Sequence, residues 1–335
     1  MNTRAVVLCA AIGAVCGRPA QCQSVAVEVT QTVGHSTEDV NAAATQLRAF
    51  GEAGAGVRFD VETAWAARSV DEGDAFGGAY PYDNRVQVIE AYGERVFTPR
   101  RALVATRAGR YRTPFGIYSG SDHGYIGFLR PPLIRYDDYW GLSNNFLEEG
   151  VDVVVGTPRL SIEASFGAPA DVGSAVRRSG LDTVVRGQAA FGAFIVGVSH
   201  INARPYMPER YAPGHLSFTG VDARWMRNGI QVRGEWIWGQ PFTGTTTNGG
   251  YADLIVHRPR MGPVTAVLRA ERLSYDAIAP FAMYAQRYTA GARVRLLNQL
   301  AATVELVRQT QALSSDTPLA VDVGFTLSLR HDSGR

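Results

Sequence analysis

The sequence contains no lysine: all 33 basic residues are arginine, set against 31 acidic ones. The net charge of +2 leaves no basic excess of the kind that tracks a nucleic-acid backbone, so no nucleic-acid partner is expected. Cysteine is scarce too, and Cys9, Cys16 and Cys22 all fall in the first 22 residues. A chain cut after that stretch has no disulfide framework, no thiol nucleophile and no cysteine metal site. The histidines at 35, 123, 200, 215, 257 and 331 lack metal-ligand spacing. HExxH, a phosphate loop and a nucleotide-binding glycine pattern between strand and helix are all missing. Neither a metal nor an organic cofactor is expected. No apolar run reaches the roughly 20 residues of a membrane helix.

The first residues carry an export pattern. Arg4 supplies a short positive start, Ala5 to Cys16 is uncharged and mostly apolar, and Gly17–Arg18–Pro19 breaks it. Ala20–Gln21–Cys22 is a tolerable small-x-small cleavage site, so 1–22 reads as a signal peptide and 23–335 as the mature domain. The apolar core is too short to anchor the chain. None of the three cysteines follows a convincing small-residue lipidation box.

After the leader, apolar and polar residues alternate with period 2 almost throughout. Val57, Phe59, Val61, Thr63 and Trp65 interleave with Arg58, Asp60 and Glu62. Val264, Ala266, Leu268 and Ala270 interleave with Thr265, Arg269 and Glu271, and the same holds around residues 160, 230, 290 and 325. One alternating segment is weak evidence, but their number argues for one large half-polar sheet. The segments fall at 25–34, 41–51, 56–68, 85–97, 101–111, 148–156, 159–168, 181–190, 193–203, 215–226, 230–240, 250–258, 263–274, 285–296, 299–310 and 318–330. The expected fold is therefore all-β, an antiparallel transmembrane β-barrel of about sixteen strands, with fourteen as the alternative count. Strands this long exceed the roughly 5–6 residues usual in soluble sheets and suit a tilted membrane crossing of about 9–11.

Connection lengths alternate. Those at 69–84, 112–147, 169–180, 204–214 and 241–249 are long, whereas Thr98–Pro99–Arg100, Thr157–Pro158, Phe191–Gly192, Arg227–Asn228–Gly229 and Leu297–Asn298 are short. A transmembrane barrel segregates its loops this way, with short turns on the periplasmic side. Trp65, Trp225, Trp236 and Trp238 share the apolar, outward register near strand ends and form an expected aromatic girdle.

The 112–147 connection is the longest and follows the fifth strand. Pro114, Pro131 and Pro132 stiffen it, and Phe115, Ile117, Ile126, Phe128, Leu129, Leu133 and Ile134 can pack on a wall. Its polar residues, Arg112, Tyr118, Asp122, His123, Arg130, Arg135, Asp137 and Asp138, are the expected constriction. A barrel of about sixteen strands is too wide for wall side chains to fill, so an inserted loop is the natural narrowing element. The alternative is a cap over a filled barrel. The inward register carries both signs: Arg58, Arg186, Arg233, Arg269, Arg293 and Arg295 with Asp60, Glu62, Glu163, Glu235 and Glu271. Opposed charges across a water-filled gap favour polar solutes.

The segment Gly109–Arg110–Tyr111–Arg112–Thr113–Pro114–Phe115–Gly116 resembles the G-x-F/Y-x-x-P-F-G segment of the phosphate- and polyphosphate-selective porin family. Glu149–Gly150–Val151–Asp152–Val153 resembles the strand after that family's inserted loop, and Arg269–Ala270–Glu271–Arg272–Leu273 and Tyr288–Thr289–Ala290–Gly291 are similar too. The resemblance implies a sixteen-stranded diffusion channel in contact with outer-membrane lipid and able to form a homotrimer. Two features depart from it. Phosphate-selective members use lysines at the channel mouth, which this chain lacks, and a polar tail follows Leu329 where outer-membrane proteins usually end on an aromatic residue.

The expected function is a porin-like passive channel for small polar or charged solutes in a bacterial outer membrane, not an enzyme. A structural or adhesive barrel with a filled lumen is the alternative. An outer-membrane hydrolase is weaker still: Ser199 and His200 are neighbours on one strand and face opposite ways, and His215 with Ser217 lacks a third orienting residue.

Overall fold

The computed structural model describes residues 24–54, 56–69, 84–99, 102–117, 128–135, 147–170, 177–206, 216–240, 246–276, 283–311 and 319–333. Residues 1–22, expected from the sequence to be a signal peptide, lie outside them.

Sixteen antiparallel strands form one closed barrel in which each strand pairs with its sequence neighbours and β1 closes on β16. They are β1 (Ser24–Ser36), β2 (Val40–Glu52), β3 (Val57–Arg68), β4 (Val86–Phe97), β5 (Leu103–Arg112), β6 (Leu147–Gly156), β7 (Leu160–Pro169) and β8 (Arg177–Phe191), followed by β9 (Phe194–Tyr206), β10 (Leu216–Arg227), β11 (Ile230–Gln240), β12 (Thr246–Val256), β13 (Val264–Asp276), β14 (Met283–Arg295), β15 (Leu300–Gln311) and β16 (Leu319–Ser333). Closure removes the unpaired edges that an open sheet of this length would present.

The period-2 pattern decides which way each side chain points. Along β13, Val267, Arg269, Glu271 and Leu273 are buried inside, whereas Leu268 and Ala270 are exposed outside. Along β3, Asp60, Glu62, Ala64 and Ala66 face in and Val61 faces out. Outward apolar residues such as Val151, Phe166, Val198, Val232, Leu268 and Leu306 recur around the wall, the arrangement a bilayer requires. Turn chemistry fits the short connections: Asn228 and Gly229 both take positive φ, 51° and 74°, the two-residue hairpin turn that matches strand twist.

Several boundaries differ from the sequence pattern. β12 starts at Thr246, four residues early, because Thr247 and Gly249 pair with β13 although they carry no apolar alternation. β16 runs through the polar tail to Ser333, which pairs with Val25 and helps close the barrel. The β1–β2 connection is only Thr37–Glu38–Asp39, although it lies at the long-loop end. Between β3 and β4 the pairing register slips at Glu62/Thr63, leaving Ile89 of β4 as the extra residue. This bulge leaves Val88 outside and Glu90 opposite Glu62 inside.

Candidate channel and its inserted loop

Both described parts of the β5–β6 connection lie inside the barrel. The first, 113–117, crosses to β9 and β10. Phe115 and Ile117 join Ile201, Phe218, Ile237 and Tyr251 in one buried cluster. Gly220 makes room for this: a Cβ there would stand 3.0 Å from the Phe115 ring. The Gly116 N–H donates to Ser199 Oγ at 3.1 Å.

The second part, 128–135, ends in a single 3₁₀ turn, Leu133–Arg135, against β12 and β13. Leu133 and Ile134 enter the same cluster as Phe115. Leu129 packs with Val40, Ala44, Ala66 and Ile89, and Gly324 gives it space, since a Cβ there would meet Leu129 Cδ2 at 2.6 Å.

Backbone buried inside a barrel needs hydrogen-bond partners, and here wall side chains supply them. The Leu129 N–H donates to Glu305 Oε1 at 2.7 Å, and the Leu133 N–H to Glu271 Oε1 at 2.9 Å. Pro131 and Pro132 have no N–H to satisfy. Their neighbourhood offers carbonyls instead: Arg269 Nη1 donates to the Arg130 carbonyl at 2.9 Å, and Arg287 Nη2 to that of Pro131. Arg130 is itself a bolt. Its guanidinium reaches Asp322 on β16 at 2.5 and 2.9 Å and Glu38 in the short β1–β2 turn at 2.8 Å.

Behind these contacts the wall charges pair across strands. Asp253 accepts from Arg233 at 2.9 Å and from Arg269 at 2.6 and 2.9 Å. Glu271 accepts from Arg287 at 2.5 Å. Asp253 lies directly opposite both arginines in register, and Glu271 lies opposite Arg287.

On the other side of the lumen an open space remains. Its volume is about 240 Å³, and Arg48, Glu90, Tyr92, Arg107, Glu163 and Arg224 are among its lining residues, together with loop residues 114, 116 and 117. Arg48 pairs with Asp60 at 2.5 Å. Arg112 holds Glu62 at 2.7 Å and Glu90 at 2.6 Å. Arg186 holds Asp222 at 2.7 Å and donates to Ser199 at 2.8 Å. Arg107 is held more loosely, 3.7 Å from both Glu94 and Asp152, with Tyr92 beneath its guanidinium at 4.7 Å. Arg224 lines the space without an ion pair or a hydrogen bond among the described residues.

The expected site residues separate accordingly. Arg112 is the last residue of β5 and belongs to the wall, not the loop. Arg130 is buried between loop and wall. Only the backbone of Arg135 is described, and Tyr118, Asp122, His123, Asp137 and Asp138 lie outside the described residues. Asp60, Glu62, Arg186, Arg233, Glu235, Arg269 and Glu271 point inward and are buried. Glu163 is half-buried at the open space. Arg58 shares the inward register but is exposed at the turn end, 4.0 Å from Glu94. Arg293 and Arg295 line a shallow hollow at the same end with His257 and Thr265. Trp65, Trp225, Trp236 and Trp238 occupy the outward register; Trp225 lies against Phe194 beside a short turn, and Trp65 donates to Asn84 at the opposite end.

Ser199 and His200 face opposite ways: Ser199 is buried inside, whereas His200 is exposed and 2.9 Å from Thr219. Sequence reasoning missed Arg48, Arg107, Arg224, Asp253, Arg287, Glu305 and Asp322. Each sits in the same inward register as the residues it found, so the pattern that located those would have located these.

No family model and no curated protein matches the sequence. Solved structures do match. OmpF of Salmonella typhi, in complex with daunomycin, superposes with a TM-score of 0.63 at 11% identity, over 91% of this chain and 97% of that one. The trimer form of OmpT, an outer membrane protein of Vibrio cholerae, gives 0.61 at 10% identity over 92% and 98%. The anion-selective porin of Comamonas acidovorans gives 0.59 at 11% identity over 93% and 99%. At such identities the likeness is one of fold: a porin-type barrel along nearly the whole of each chain.

Proposed function

We propose that this chain is a passive diffusion channel for small polar solutes, placed in a bacterial outer membrane after loss of residues 1–22. The observation that carries the reading is the off-centre opening. The inserted loop is bolted along β12–β16, and beside it a polar gap lined by Arg48, Glu90, Tyr92, Arg107, Glu163 and Arg224 stays open. The loop narrows a barrel that wall side chains alone would leave wide.

The outward apolar belt and the four outward tryptophans support a bilayer setting. Contact with outer-membrane lipid follows from that setting. A homotrimer is consistent with the trimer form in which the Vibrio cholerae protein was solved. Phosphate selectivity is not part of the proposal, because the arginines at the opening are mostly engaged with carboxylates and no lysine is present. The non-enzymatic reading rests on the opposed faces of Ser199 and His200; of the other pair, His215 lies outside the described residues. A filled structural barrel is the competing reading, favoured by the packed β12–β16 side.

Liposome swelling separates the two. Vesicles carrying the refolded protein should swell quickly in small sugars and slowly in large ones. Folded barrels that leave swelling at the protein-free rate would support the filled lumen instead.

A further inference from the structure

The outer face of β11–β16 is not uniformly convex. Gly234 pairs with Ala252 and Ala252 with Ala270, so small outward residues sit side by side across three strands, and Ala290 on β14, opposite Leu268, lies diagonal to Ala270. Ala252, Ala270 and Ala290 floor an apolar hollow of about 530 Å³, walled by Val232, Leu254, Leu268, Tyr288, Leu306 and Leu319.

Two arginines stand at the loop end of this hollow. Arg308 lines it, pairing in register with Tyr288 and with Leu319, the first residue of β16. Arg272 lies two residues beyond Ala270 on β13, over the Tyr284 ring at 5.2 Å. Both are exposed on the outward face. Neither has an ion pair among the described residues. The contrast is with Arg110, also outward, which is held at 2.6 Å by Glu149. Arg272 and Arg308 are two strands apart and offset by two residues along them, about 12 Å between backbones at the usual spacings, a separation that one lipid headgroup region can bridge.

A guanidinium pair with no ion-pair partner among the described residues, above an acyl-sized trough, has the chemistry of a site for a phosphate-bearing lipid. We propose that the β11–β16 face binds an anionic phospholipid or glycolipid of the outer leaflet. Its phosphate meets Arg272 and Arg308, and an acyl chain lies over Ala252, Ala270 and Ala290. The inference rests on the membrane setting but not on conduction.

Native mass spectrometry of the mature chain in neutral detergent tests it, with phosphatidylglycerol and phosphatidylcholine of identical acyl chains as probes. Phosphatidylglycerol should be retained at about tenfold lower concentration than phosphatidylcholine. Arg272→Gln with Arg308→Gln should abolish that preference, while heat-modifiable gel mobility and channel conductance stay as in the wild type. Ala270→Leu, which fills the floor and leaves both arginines, should weaken both lipids. An undiminished preference in the double variant, or unchanged binding in Ala270→Leu, would overturn the proposal. So would inorganic phosphate binding as tightly as the lipid, or an oligomer of this chain that Ala270→Leu disperses.

Discussion

The two sides of the lumen use the same residue types for opposite ends. Along β12–β16, arginines and carboxylates pair across strands and then extend to loop backbone: Arg269 and Arg287 donate to carbonyls, and Glu271 and Glu305 accept from N–H groups. Along β2–β10, Arg48, Arg112 and Arg186 also hold carboxylates, but what they leave over faces open space. Charge alternation inside a barrel therefore does not by itself mean a pore. A charge lines the channel only where no loop backbone has claimed it.

The comparison can be broken most forcefully at Arg287. It is fully buried, and its loss strands Glu271 and the Pro131 carbonyl. Arg287→Leu should cost about 3–5 kcal/mol, read as a lowered urea midpoint of unfolding in vesicles. Arg186→Leu, on the open side, should cost about 1–3 kcal/mol, because Arg186 itself lines the open space and its removal lets water from there reach Asp222. Equal losses would erase the distinction between the two sides.

Next in size is the lipid face. Leu268→Arg places a charge outside at mid-strand and should cost about 2–4 kcal/mol. Sequence alone suggests that its neighbour, Arg269→Leu, would change only channel properties. The structure revises this: Arg269 binds Asp253 and the Arg130 carbonyl and stacks on Phe128 at 3.9 Å. Arg269→Leu should destabilise as well, checked by the same unfolding midpoint. The smallest stability effect belongs to Arg224→Gln. With no ion pair or hydrogen bond to lose among the described residues, it should stay within about 0.5 kcal/mol of wild type and change only solute passage, measured by swelling rate. A large stability loss there would show that the open side is packed.

The fold was legible because a barrel writes its inside and outside into alternate residues, and sixteen repetitions outweigh any ambiguous segment. Misplaced boundaries came where alternation lapses for a packing reason: Gly249 in β12 lies against the Ile134 side chain, and the polar tail of β16 closes on β1. The site was half legible. The inward register of Asp60, Glu62, Arg186 and Arg269 follows from period 2. Their division into loop bolts and open-side residues does not, because it depends on partners far away in sequence, such as Arg130 and Asp322. One trace of the loop was present in the chain. The nearly uncharged run 189–202 is apolar on both faces because Ile201 meets Phe115 inside while Val196 and Val198 face out.

Planar-bilayer recording of the wild type and of Arg130→Ala, both shown to be folded by heat-modifiable gel mobility, tests the central claim most directly. Arg130→Ala removes the loop's link to Asp322 and Glu38. The wild type should give steady ohmic steps, and the variant larger ones as the loop leaves the wall. A folded wild type that passes no current, or a variant with unchanged steps, would contradict a channel narrowed by a bolted loop.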